Sequence, residues 1–315
     1  MLHYVVRRVL AMLLLLVMAS FIIFSLLQIA PGSPLTVLTG GRPLPASTLH
    51  ALTERYHLDD SFLAQYWYWL KNILNGDFGE SIALQQPIKD LISSRAPITI
   101  ELGLFASAIA ITLGVVGGTV AAIRQGRFAD TAISSTVVAL AAVPAYLSGI
   151  LLILIFGVWL GWLPVFGAGK APADRFQHLI LPALALGLSL CALVARVTRA
   201  SMVRILDDEY IEAARARGFR ESRVIGKHAL RNALAPIITV SGLAAGYLIT
   251  GAVLVEVVFG LNGLGALMIQ GVTAKDFAVV QAVALVFTAV FLLITLVVDL
   301  LCFAVDPRTR TQEAA

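Results

Sequence analysis

Residues 9–30 read VLAMLLLLVMASFIIFSLLQIA, a run without a single charge (Val9–Ala30). A helix that crosses a bilayer needs about 20 mostly apolar residues, and this run meets that length unaided. Arg7 and Arg8 precede it, and Pro31-Gly32-Ser33-Pro34 ends it, since proline lacks an amide hydrogen and resists helix continuation. The run is longer than the roughly 7–15 residues of a signal-peptide core, and no A-x-A site closes it, so it reads as a retained anchor. Five further apolar runs follow, at about Thr99–Ile123, Ile133–Leu160, Leu179–Val197, Ala233–Val258 and Ala278–Val305. Pro144, Pro182 and Pro236 interrupt three of them. Membrane helices tolerate such prolines when neighbouring helices satisfy the freed carbonyls.

Composition agrees with six spans. Of 315 residues 59% are hydrophobic and 13% charged, whereas a soluble domain carries about 25% charged residues. The mean hydropathy is +0.89. A cytosolic enzyme, a disordered tail and a disulfide scaffold are excluded as classes. Cys191 and Cys302 both lie within apolar runs and have no neighbour at metal-ligand spacing.

Lysine and arginine set the orientation. One side collects fifteen of them: Arg7 and Arg8, Arg124 and Arg127, nine between Arg196 and Arg231, and Arg308 and Arg310. The other side holds eight, five of them in one long loop. Both termini are therefore expected in the cytoplasm. The resulting organisation is 1–30 for the N-terminal end and first span, 31–98 for an external loop, 99–305 for the remaining spans and 306–315 for a cytoplasmic tail. An internal loop occupies 198–232.

Two loops stand apart. In the external one, Ser47 and Asp59-Asp60 are candidate helix N-caps. Phe62, Tyr66, Trp67, Trp69, Leu70, Ile73 and Leu74 then form an aromatic, apolar stretch suited to the membrane interface, and Gly76-Asp77-Phe78-Gly79 reads as a turn. Phe62, Tyr66, Trp67, Trp69, Asp77 and Phe78 are candidates for docking an external partner, with an interfacial brace as the alternative. In the internal loop, Asp207, Asp208 and Glu209 suit a helix start. Ala213, Ala214, Ala216 and Gly218 follow, interleaved with Arg215, Arg217, Arg220 and Arg223. Small side chains admit another protein close to the backbone, and the charges can fix its orientation; the alternative is an ordinary basic loop.

Glu212-Ala213-Ala214-x-x-x-Gly218, between the fourth and fifth of six spans, resembles the EAA signature of ABC importer permeases. His228–Ala233 reads HALRNA, as in the peptide/nickel branch. Further stretches fit that branch in order. They are Pro31–Pro34, Tyr56–Asp59, Gly76–Ser81, Arg95–Pro97 with Thr99–Leu102, Val143–Tyr146, Gly161–Pro164, His178–Pro182 and Glu256–Gly265. Serine at 33 stands for the usual aspartate, and Asn262 for the usual proline. The chain thus resembles dipeptide/oligopeptide permeases over its whole length, in the first-subunit branch with a long external loop.

The resemblance implies an all-α polytopic protein of the type I ABC importer permease fold, with six transmembrane helices and a cytoplasmic coupling helix. It implies a bacterial inner-membrane location and half of a heterodimeric pore for short peptides. The same scaffold also serves nickel, haem or glutathione import. The implied partners are a second permease, one or two ATPase subunits that hold ATP and magnesium, and an external substrate-binding protein. Asp208, Tyr210, Glu212, Ala213, Ala214, Arg215 and Gly218 would contact the ATPase.

No phosphate-cradling GxxxxGK[ST] occurs in this chain, in keeping with an ATPase supplied by a partner. No metal spacing, catalytic triad or nucleic-acid motif is legible, so neither an enzyme nor a resident metal is expected. Glu256 and Asp299 lie near or within spans, where a proton-driven transporter would place relays and where a helix-end brace is the plainer reading. Arg196 and Arg199 read as snorkelling anchors. Ser107, Ser148, Ser189, Ser241 and Thr250 are the candidate pore-lining residues, unless each hydroxyl bonds its own helix backbone.

Overall fold

The computed structural model describes residues 2–29, 45–55, 57–169 and 171–305. The chain is helical almost throughout. Its elements are α1 (Leu2–Ile29), α2 (Ala46–Arg55), α3 (Phe62–Leu74), α4 (Ile88–Ile123), α5 (Phe128–Ala142) and α6 (Ala145–Leu152). They continue with α7 (Pro172–Leu206), α8 (Glu209–Ala216), α9 (Glu221–Arg223), α10 (Arg231–Val258), α11 (Leu264–Thr273) and α12 (Phe277–Val305). A two-residue-per-strand antiparallel hairpin, β1 (Glu80–Ser81) and β2 (Gln86–Pro87), precedes α4.

Among the described residues, five helical stretches are long and apolar enough to cross a membrane, and a bent pair, counted as one span, brings the number to six. The run expected at Ile133–Leu160, interrupted at Pro144, is this pair, and its two limbs meet at that proline. α5 and the stretch Ala145–Trp159 are bent by 100°. Val143 is extended (φ −91°, ψ 123°) and Pro144 follows at φ −56°, ψ 140°, because a proline ring disfavours helical backbone in the residue before it. Pro97, Pro182 and Pro236 are instead absorbed inside continuous helices. After the bend, Ile153–Trp159 is π-helical.

The cap readings also change. Ser47 lies inside α2, whose first amide bonds run from Thr48 and Leu49 to the carbonyl of Pro45. Ser61, not Asp60, precedes α3; the Asp60 carbonyl accepts from the buried Gln65 side chain at 2.9 Å. The turn at 76–79 is present. Gly76 and Gly79 have φ of 79° and 82°, and the Asp77 carboxylate accepts the Gly79 amide at 2.8 Å.

The chain divides into two compact units. Of the described residues, one comprises those within 100–261 together with 294–305, and the other those within 2–99 together with 262–293. In the first, α7 is the central helix, packed by α5, α6 and α10. Small residues on α4 let it approach α7 closely. A Cβ on Gly114 would stand 2.6 Å from Val194 Cβ, and one on Gly118 2.5 Å from the Ala195 carbonyl oxygen. Without a hydrophobic drive between lipid-facing helices, such contact of small residues is a main source of association. In the second unit, Ile88 and Leu91 of α4 pack with Leu264 and Leu267 of α11 and with Val279 and Val283 of α12.

Candidate coupling site

The loop singled out by its alanines and arginines folds as a short helix between two sharp stops. α7 ends at Leu206; Asp208 is extended (φ −74°, ψ 141°), and its carbonyl accepts the Ile211 amide at 2.9 Å. The Asp208 carboxylate makes no capping hydrogen bond, so its contribution to α8 is the charge it sets at a helix N-terminus. At the other end the Gly218 amide bonds the Arg215 carbonyl (2.9 Å) and the Phe219 amide the Ala214 carbonyl (3.3 Å). Gly218 has φ +75°. This is the Schellman closure, which wants a residue without Cβ in the left-handed region. A Cβ there would meet nothing within 4 Å, so the glycine serves the turn and not a crowded contact within this chain.

α8 buries one edge and presents the other. Ile211 and Ala214 join a core with Ala122 of α4, Met202 and Ile205 of α7, and Ala229 and Ala233. Glu212, Ala213 and Gly218 are exposed. The two alanines of the signature therefore face opposite ways. Arg215 reaches Glu221 at 2.8 Å, with both side chains about half exposed. That neighbour holds the Arg215 guanidinium above its ordinary range, and an exposed pair of this kind is worth little stability.

The HALRNA stretch explains how α8 is held. Val224–Leu230 is π-helical and runs into α10, and single π turns concentrate at functional positions. Asn232 Nδ2 donates to the Tyr210 hydroxyl at 2.8 Å and to the His228 carbonyl at 2.9 Å. Phe219 stacks on His228, and the Arg223 guanidinium lies 5.8 Å from the Phe219 ring centre. Tyr210 is thus fastened to α10 while the residue stays 42% exposed.

One turn before this seat lies a pair that sequence reading missed. Asp130, in the first turn of α5, is buried and receives Arg199 of α7 through two nitrogens, Nε at 2.6 Å and a terminal nitrogen at 2.7 Å. Gly126 N donates to the same carboxylate at 3.0 Å and Ser134 Oγ at 3.4 Å. Arg199 is therefore not a snorkelling anchor, because its charge is spent on a carboxylate from another helix. The legible signal was the acid itself, three residues into an apolar helix and four after a glycine.

The candidate pore hydroxyls are scattered over α4, α6, α7 and α10. Ser189 bonds its own helix at the Ala185 carbonyl (3.1 Å), which is the plainer of its two readings. Ser107 and Ser148 are half-buried. Ser241 is buried with its hydroxyl unpartnered, and the Thr250 side chain lies outside the described residues. Glu256 is fully buried near the end of α10.

In the other unit, the aromatic stretch of α3 packs on α1. Phe62 and Tyr66 meet Phe21 and Phe24, Trp69 meets Phe24 at 5.4 Å, and Tyr66 Oη pairs with Ser20 Oγ at 2.9 Å. Phe78 joins the α4–α11–α12 core. Trp67, 64% exposed, and Asp77 remain turned outward. A cleft beside them is lined by His57, Tyr68, Trp69, Asn72, Asp77 and Phe78. A second missed acid, the buried Asp276, accepts Ser81 Oγ (2.7 Å), Ala83 N (3.0 Å) and Val279 N (3.3 Å), and so pins the hairpin to the start of α12.

Comparison with known proteins places this architecture. Two family models match: the binding-protein-dependent transport system inner membrane component over residues 114–311, and its N-terminal membrane component over residues 1–103. The glutathione transport system permease proteins GsiC of Escherichia coli and Shigella dysenteriae are each 38% identical over 310 residues, 98% of this chain and 99% of theirs. A chain of the inward-facing MetNI methionine ABC transporter superposes with a TM-score of 0.55 at 18% identity, covering 69% of this chain and 96% of its own. An amino acid ABC transporter chain gives 0.51 at 19%, covering 68% and 94%. With its two matching family models and its multi-pass helical fold, this chain belongs to the binding-protein-dependent inner-membrane permeases of ABC importers, in the dipeptide/oligopeptide/nickel group.

Proposed function

We propose that this ABC importer permease subunit carries short peptides across the bacterial inner membrane, as half of a pore completed by a second, related permease. The observation that carries the reading is the build of residues 208–218. A short helix is seated on α7 and α10 by Ile211, Ala214 and Tyr210, while Glu212, Ala213 and Gly218 are left uncovered. A partner ATPase that holds ATP and magnesium would rest on that uncovered edge. An external substrate-binding protein would deliver the cargo, with Trp67 and Asp77 the outward residues of its docking side. Both termini would face the cytoplasm. Glutathione, itself a short peptide, is the favoured second cargo, because the GsiC relatives are glutathione permeases by name. Membership of an ATP-driven family leaves a proton-driven cycle without support.

The test is uptake in cells lacking the native chain and complemented with variants. Glu212→Lys, and Gly218→Val, which must hold a left-handed φ that a branched side chain resists, are expected to abolish uptake of labelled dipeptides and glutathione while membrane abundance persists. Normal uptake by both variants would overturn the coupling assignment. Uptake of neither probe by the parent chain would overturn the cargo assignment alone.

A further inference from the structure

We propose that Asp130 and Arg199 form a positioning latch of the transport cycle, fastening α5 to α7 so that movement of the α8 seat reaches the bent span. The inference rests on the reading of residues 208–218 as the ATPase contact and deepens it. Arg199 stands one helical turn before Met202, which belongs to the core that seats Ile211 and Ala214. α7 is unbroken from Pro172 to Leu206, so a displacement at its end is carried rigidly to Arg199. There the chain is gripped from two sides. α4 closes on the Ala195 carbonyl, Thr198 and the Arg199 amide at Gly118, and α5 holds the guanidinium through Asp130. The far end of α5 is the 100° bend at Val143-Pro144, beyond which Gly149 packs against Phe259 and Ala185.

Two features suit this pair to a latch more than to a passive brace. A forked guanidinium–carboxylate contact fixes distance and angle together, which an apolar contact does not. The two partners are also unequally buried, with the Asp130 side chain 8% and the Arg199 side chain 34% exposed. If Arg199 withdraws, it can reach water, while Asp130 keeps the Gly126 amide and the Ser134 hydroxyl as donors. Opening therefore strands neither charge entirely, so the pair can alternate between two arrangements. Since coupling free energy is reciprocal, the same pair would pass the signal from a docked binding protein back to the ATPase.

The experiment uses the complete transporter in proteoliposomes: this permease, its partner permease, the ATPase subunits and the binding protein loaded with a dipeptide or with glutathione. The readout is ATP hydrolysis with the binding protein divided by hydrolysis without it. Asp130→Asn and Arg199→Gln are expected to lower that ratio at least about fivefold while basal hydrolysis and co-purification stay unchanged. The double variant should be no worse than the worse single, as for two residues acting as one unit. An unchanged ratio, losses that multiply in the double variant, or a loss that merely tracks the amount of assembled complex would each overturn the latch. Should the single variants fail to assemble, Arg199→Lys decides. It keeps the charge without the fork, so the ratio should fall by at least about half, and a full ratio overturns the proposal. Gly218→Val separates the two readings. If it alone keeps full stimulation, the coupling segment has been misassigned; if it is impaired while Asp130→Asn and Arg199→Gln are normal, only the latch falls.

Discussion

Arg175 and Arg199 lie on one helix, about 36 Å apart at a rise of 1.5 Å per residue, which exceeds the roughly 30 Å of a bilayer's hydrocarbon. Each grips a carboxylate from a neighbouring helix, yet the two grips differ. Arg175 reaches Glu101 of α4 through one nitrogen at 3.0 Å, with both side chains more than a third exposed and its Nε without a partner. Arg199 reaches Asp130 through two nitrogens, and the acid is buried. α4 follows the same contrast. A Cβ on Gly103 would meet nothing within 4 Å, whereas one on Gly118 would strike α7 backbone. The α7 end beside α8 is fixed in angle by a forked pair with a buried acid, whereas the opposite end carries a single-nitrogen ion pair that is partly exposed.

Five substitutions test these differences, in falling order of expected effect. The largest effect is expected from Gly118→Leu, which forces α4 away from the Ala195 carbonyl and should cost several kcal/mol, in the range of severe overpacking. The protein should fail to accumulate in membranes, while Gly103→Leu on the same helix accumulates normally. Equal abundance of the two would end the claim that the ends differ. Next comes Asp276→Ala in the other unit, where an acid is satisfied wholly by neutral donors. Its loss leaves the Ser81 hydroxyl and the Ala83 amide unpaired at about 1–3 kcal/mol, and limited proteolysis should find the 80–87 hairpin newly cleavable. An intact hairpin would mean that its seat is the apolar core around Ile88 alone. Tyr210→Phe is expected to be smaller, about 0.5–1.5 kcal/mol for one hydrogen bond, read as a modest drop in thermal stability of the detergent-solubilised chain. Smallest of all, Glu101→Gln should change stability by less than about 1 kcal/mol, as exposed pairs do, and high salt should erase even that.

Much of the fold was legible because bilayer thickness and hydrophobicity are local constraints. A run such as Val9–Ala30 announces a span without reference to any other residue, and α12 begins one residue from where its apolar run was expected. The short helix of the internal loop, Glu209–Ala216, was legible for a related reason. Gly218 is a local conformational demand, and the acids before α8 satisfy a local dipole. The bend at Val143-Pro144 was not, since Pro182 and Pro236 carry the same chemistry inside straight helices. The docking candidates were read as one group; packing on α1 divides them, with Phe62, Tyr66 and Trp69 turned inward and Trp67 outward.

That the chain crosses the membrane, roughly where, and which loop carries small residues among charges all follow from hydration, span length and spacing along the chain. Long-range packing, in contrast, sets which alanine of the signature faces inward and lets Asn232 hold Tyr210. It alone made Asp130 and Asp276 anchors while leaving Glu101 a weak tie. A carboxylate means little alone; its effect depends on which donors distant parts of the chain bring within about 3 Å and on how much water they exclude.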